Sequence, residues 1–194
     1  MQDSQLVTDA LEVALARARD LVHGAGIVGY GVATLYGPDG RVKQVEPFAN
    51  LVTDSGDAYY AAKAITNIAP ANPAAPTAAT GMKLGTGTTA VAKNGAGAAL
   101  VTYKAGSNVA FDAGFPVTED LGASLGDNAN YKSTWAAGVA TDAALTEVVI
   151  VTDSATDATS SEANTYSRAL FASAINKGAS DSLAVTWKHK FLGS

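Results

Sequence analysis

Two histidines, His23 and His189, are the only imidazoles in the chain, and it has no cysteine. A proton relay or a metal site needs several such groups brought together. His23 falls at the end of a predicted helix. His189 falls on the apolar face of a predicted strand, where a satisfied core or interface histidine is the expected role. A Ser-His-Asp triad remains open in sequence terms, with no Gly-x-Ser-x-Gly elbow to support it. Without cysteine, disulfides and thiolate metal sites are excluded.

The run Gly85-Thr86-Gly87-Thr88-Thr89 has the look of a phosphate loop. A P-loop ends in Gly-Lys-Ser/Thr, with the lysine reaching the phosphates. The next lysine here is Lys93, at the wrong spacing. A dinucleotide site needs a βαβ unit, which the later strands do not provide. A tight glycine turn is the preferred reading. The carboxylates Asp112, Glu119, Asp120, Asp127, Asp153, Asp157 and Glu162 fall in predicted loops. Asp153 and Asp157 could offer oxygens to calcium, but the Asp-x-Asp-x-Asp-Gly spacing is missing. Nothing marks a facing carboxylate pair for glycoside hydrolysis. Trp135 and Trp187 lie in alternating strands and read as core rather than sugar platforms. No catalytic residue, metal or cofactor is therefore expected, and a hydrolytic enzyme is the least favoured class.

The elements around these residues are mainly β. An N-terminal helix is the exception. Leu6, Val7, Ala10, Leu11, Ala14, Leu15, Ala18, Leu21 and Val22 recur at spacings of three and four, with Glu12, Arg17 and Arg19 opposite. Asp3 or Ser4 would cap its start, and His23 with Gly24 would end it. This helix, residues 1–25, either packs on its own body or anchors to a neighbour. Residues 26–194 form the β-rich body. Residues 27–36 and 41–52 read as a hairpin around Asp39-Gly40, a type I′ turn signal. Pro47 belongs on an edge or at a bulge. A second, short helix is capped by Asp54 or Ser55 and carries Tyr59, Tyr60, Ala62 and Ile65. Residues 68–80 hold Pro70, Pro73 and Pro76 among alanines, an extended arm that would need a surface to lie on. Strands are expected at residues 82–84, 100–103, 131–137, 145–151, 165–175 and 182–191. The last alternates most cleanly, with Leu183, Val185, Trp187, His189 and Phe191 on one face. Such strands suit an antiparallel sandwich or jelly-roll-like body.

Composition narrows the partners. Charged residues are 16% of the chain, against 47% apolar, and the net charge is −5. Low charge with abundant small residues suits surfaces that meet other proteins. No basic run exists to neutralise phosphates, so nucleic acid is not expected. Neither a signal peptide nor a membrane span of ~18 apolar residues is visible.

Three phrases carry a resemblance. Asn50-Leu51-Val52-Thr53-Asp54-Ser55-Gly56 and Met82-Lys83-Leu84-Gly85-Thr86-Gly87-Thr88-Thr89-Ala90 resemble stretches of tailed-bacteriophage virion structural proteins. The ending from Ile175 to Trp187 is similar to the close of that group, and Tyr131 to Ile150, with Trp135, Glu147 and Val149, also fits. The likeness runs from about Val28 to the end and leaves the N-terminal helix outside. It implies a non-enzymatic minor capsid, decoration or minor tail protein, resident in the virion and assembled in the host cytoplasm. Its partners would be the major capsid protein or other virion proteins, with self-association, a trimer included. The group has no catalytic residues to carry over. The expected interface residues are Leu11, Leu15, Tyr59, Tyr60, Pro70, Pro73, Pro76, Phe111 and Phe115. The favoured role is a shell-stabilising decoration protein. The alternative is a minor tail or tail-tip protein with an adhesion role, its recognition surface supplied by residues 106–130 and 153–164.

Overall fold

The computed structural model of the chain describes residues 2–21, 27–64, 77–120 and 127–191. Its elements run α1 (Gln2–Leu21), β1 (Ile27–Tyr36), β2 (Val42–Val52), α2 (Asp54–Ala64), β3 (Gly81–Gly85), β4 (Val109–Ala110), β5 (Val117–Asp120), β6 (Asp127–Trp135), β7 (Asp142–Val151), β8 (Thr165–Lys177) and β9 (Ser182–Phe191). The fold is mainly β with two helices, as the sequence implies. The strands form one antiparallel sheet in the order β4-β3-β7-β8-β2-β1-β9-β6-β5. The sheet curls until its ends meet. Asp112 N donates to Lys132 O at 2.8 Å, and Ser133 Oγ donates to Ala110 O at 3.2 Å, tying the β4 side to β6.

The inside of the curl is the main core, and its packing is a trade of large against small. On β9, Trp187 and His189 face inward. Their partners on β1 are Gly31 and Gly29. A Cβ on Gly31 would lie 2.5 Å from the Phe48 ring, and one on Gly29 would lie 1.8 Å from the Asn50 side chain. The two glycines thus make room for Phe48 and Asn50, which in turn pack on and bond Trp187, the interdigitation a dense core requires. The alternation predicted for β9 is seen from Ser182 to His189; at the end of the strand Lys190 is buried and Phe191 half-exposed. Trp135 and Trp187 are both fully buried, as core residues.

Several strands are buried on both faces because chain segments cover the outside. Helix α1 lies on β1 and β2, with Ala14, Leu11 and Leu15 packed against Val28, Tyr30 and Ala49. It does not stand apart from the body. On the far side, residues 86–108 and 153–160 cover β3, β7 and β8, burying Leu100 against Val149 and Val151. Under this cover Glu147 and Arg168 form an ion pair at 2.8 Å with both side chains fully buried.

Local expectations fare unevenly. Helix α1 starts at Gln2, so Asp3 sits inside its first turn, where a carboxylate suits the positive end, rather than capping it. The cap of α2 is Thr53, one residue before the expected pair. Its Oγ1 accepts from Gly56 N at 3.1 Å and donates to Thr165 O at 2.6 Å. The β1–β2 turn is not type I′, because only Gly40, at φ 76°, is left-handed. Gly37 O accepts from Gly40 N across Pro38 and Asp39 instead. Pro47 pairs with Val32 on one side, while on the other β2 meets β8 only at Asn50–Val52. Its missing N–H therefore falls where no ladder needs it. Residues 100–103 are not a strand. Only Tyr103 bridges, to Gly85, while the Val101 and Thr102 amides donate to the Glu147 carboxylate. Strands β4 and β5 were missed because two and four residues are too short to show a period. The expected end of α1 at His23-Gly24, Ile65 of the second helix, and most of the proline arm lie outside the described residues.

Candidate functional site

Helix α2 seals one end of the curled sheet, and the sequence around it explains how. The Thr53 cap fixes its entry. Gly56 lets it lie on β8, since a Cβ there would meet Tyr166 O at 2.2 Å. Tyr59 then stacks on Tyr166, centroids 4.7 Å apart, and Tyr60 points inward.

Tyr60 enters a buried polar chain. Its hydroxyl lies 2.6 Å from the Tyr131 hydroxyl and hydrogen-bonds His189 Nδ1. On the far side, His189 Nε2 is 3.1 Å from Ser167 Oγ. Ser167 also accepts from Asn50 Nδ2 and donates to Leu51 O at 3.2 Å. Trp187 Nε1 donates to Asn50 Oδ1 at 2.7 Å, which fixes how that amide points. One proton arrangement satisfies every member: Tyr131 donates to Tyr60, Tyr60 to Nδ1, and Nε2–H to Ser167. His189 is then neutral. Burial pushes its pKa down to about 3. Burial pushes Tyr131 up to about 12 and raises Tyr60 further. All three groups hold their uncharged forms in the closed structure. Ser167 and His189 form a hydrogen-bonded pair, but a phenol occupies the Nδ1 position where a triad places a carboxylate, and Ser167 is fully buried.

Outside this chain lies an open groove of about 270 Å³, lined by Tyr59, Tyr60, Lys63, Pro116, Val117, Thr118, Ala129, Tyr131 and Phe191. It runs between α2 and β5, the last strand of the sheet. Val117 is 45% exposed on its rim. Lys63 Nζ sits 5.5 Å from the Tyr59 ring centroid.

The expected interface residues separate into four groups. Tyr59 and Tyr60 come together at the groove, and Phe111 packs behind it, 5.4 Å from the Tyr131 ring centroid. Phe115 sits in the turn before β5, its N–H donating to Asp112 O. Leu11 and Leu15 are half-buried against the chain's own sheet. Pro70, Pro73 and Pro76 lie outside the described residues. Comparison with known protein families, curated proteins and solved structures finds no match.

The glycine-threonine loop has a structural task. Glu147 Oε1 accepts from Gly87 N at 2.9 Å, and a Cβ on either Gly85 or Gly87 would lie 2.5 Å from that oxygen. Arg168 Nη1 donates to Thr89 O at 2.9 Å and Gly97 O at 3.2 Å. The loop is thus pinned by an ion pair. The acidic residues expected in loops are scattered, and three of them are on strands instead: Glu119 and Asp120 lie on β5 and Asp127 opens β6. Asp153 pairs with buried Lys83, Asp112 with Lys132, and Glu119 with Lys188. Glu119 is held down to about 2 by hydrogen bonds from Lys188, Asn128 and Asn130. Among the described residues no three His, Cys, Asp or Glu gather as metal ligands, and no helix is long and apolar enough to cross a membrane.

Sequence reasoning missed Asn50, Ser167 and Arg168 as members of buried networks. Arg168 did carry a signal: a charge inside an otherwise apolar strand is rarely buried without a partner. Asn50 and Ser167 carried none, because small polar residues are common on both faces of strands.

Proposed function

We propose that the protein is a non-enzymatic structural component of a tailed-phage virion, a capsid decoration or minor capsid protein that binds the major capsid protein and stabilises the shell. The resemblance of three phrases to that group supports the reading. The work those phrases do is in keeping with it, since Thr53, Gly56, Gly85 and Gly87 each serve the fold.

The observation that carries the proposal is on α1. Leu6 and Val13 are 50% and 45% exposed. They stand seven residues apart, hence on one face of the helix. The opposite stripe of α1 is already spent on β1 and β2. A helix fastened to the outside of a rigid body, with apolar residues turned outward, suits attachment to another protein. Repetition over a symmetric lattice would multiply weak contacts of this kind.

Co-sedimentation with shells of the major capsid protein tests it. The wild-type chain should bind. Leu6→Asp with Val13→Asp should weaken binding at least ~10-fold, since each buried apolar side chain contributes about 1.5–3 kcal/mol. Failure of the wild type to bind, or equal binding by the double variant, would overturn the proposal.

A further inference from the structure

We infer that α2 is an acid-released plug, latched into the end of the curled sheet by the bond between Tyr60 and His189. The latch has a defined proton requirement. Nδ1 of His189 accepts from Tyr60, while Nε2–H is committed to Ser167. A second proton on the ring turns the acceptor into a donor facing a donor. Tyr60 can answer only by reversing its own bond toward Tyr131, 2.6 Å away, and the imidazolium is left without a counter-charge.

The surroundings offer no such charge. From α2 the ring meets Tyr60, from β6 Tyr131, from β8 Ser167 and from β2 Asn50. The two titratable groups among these are phenols, neutral throughout the acid range. On its own strand Lys188 and Lys190 alternate to the opposite face, and both are cations. Lys63 of α2, on the groove rim, is another cation. Among the described residues no carboxylate contacts the imidazole. The closed form therefore takes the second proton only at a cost, and opening α2 to water relieves that cost.

The helix is suited to leave alone. Ala58, Ala61 and Lys63 are exposed, and beyond Tyr59, Tyr60, the Thr53 cap and the Gly56 contact α2 is held mostly by ties at its first turn: the exposed Lys93–Asp57 pair, Ser55 Oγ to Glu162 O, Asn94 Nδ2 to Asp54 Oδ2 and Asp54 N to Lys93 O. The sheet behind it is held by ladders in which α2 takes no part. Opening would uncover Tyr131, Tyr166 and Phe191, an aromatic mouth that the closed form keeps covered or half-covered.

The sign and size follow from linkage. In the closed form the imidazole titrates near 3, and in water near 6.5. The open form binds more protons between these values, so opening gains as pH falls through that window. From pH 7 to pH 5 the opening constant should rise about 25-fold.

Hydrogen exchange on the full chain, corrected for the intrinsic pH dependence of exchange, reads this directly. Amides of α2 should lose protection by that factor between pH 7 and pH 5, while those of β1 and β9 keep theirs. In His189→Gln the rise should vanish, and in His23→Gln, which removes the other histidine, it should persist. The imidazole NMR signal of His189 should stay that of a neutral ring at pH 5, a readout that needs no variant. Unchanged α2 protection, loss of protection by helix and sheet together, or an imidazolium at pH 5 with α2 still protected would each overturn the inference. None of these results depends on whether the protein binds a capsid.

Discussion

Replacing Arg168 by Met tests the ion pair under the glycine-threonine loop. The substitution removes two bonds from the guanidinium to Glu147, at 3.0 and 2.8 Å, and two to the carbonyls of Thr89 and Gly97. Breaking one side of a buried pair costs about 3–5 kcal/mol, because the other charge is left without compensation. Here the remaining carboxylate keeps amide donors from Gly87, Val101 and Thr102. Such donors favour the charged form, so the loss should fall near the lower end, about 3 kcal/mol. Glu147→Gln strands Arg168 instead, leaves Oε2 replaced by a donor, and should cost at least as much. The two changes together should cost less than their sum by 1 kcal/mol or more, since they share one interaction. Urea denaturation of the four proteins gives the cycle, with the slope m as a check that the unfolded state is unchanged. Hydrogen exchange should show residues 86–102 loosening first. Additive costs, or a single loss under ~1 kcal/mol, would refute the claim that this pair holds the loop in place.

Two further perturbations test the core and the helix entry. Trp187→Ala empties the centre of the interior, where the ring packs 4.9 Å from Phe48 and bonds Asn50; it should cost about 3–5 kcal/mol by chemical denaturation, and an undetectable shift would contradict its burial. Thr53→Ala removes the α2 cap and should cost about 1 kcal/mol, with α2 exchange rising more than that of β9.

The fold was legible where the sequence had a period. Alternation in β9 gave the inward face from Leu183 to His189, and the spacing of Leu11, Ala14 and Leu15 gave the packed stripe of α1, although Leu6, placed on the same stripe by spacing, is 50% exposed. It was not legible where side chains replace backbone partners. Val101 and Thr102 are both β-branched, which suits a strand, yet a carboxylate from β7 takes their amides. No local pattern announces a partner 45 residues away. The curl of the sheet was hidden for the same reason, since it depends on β4 meeting β6, and β4 has only two residues. At the candidate site, Tyr59 and Tyr60 stood out as adjacent aromatics on a short helix. His189, the partner of Tyr60, read correctly as an interior residue. What tied them together was a hydrogen bond across 129 positions, which spacing cannot reveal.

On the proposed role a tailed phage encodes this chain, and the most direct test of that role is the chain's copy number in such a phage's purified particles, by quantitative mass spectrometry against the major capsid protein. Shell decoration predicts equal or simple-fraction abundance. A few copies per particle would contradict decoration and favour the tail, and absence from the particle would contradict a virion role altogether.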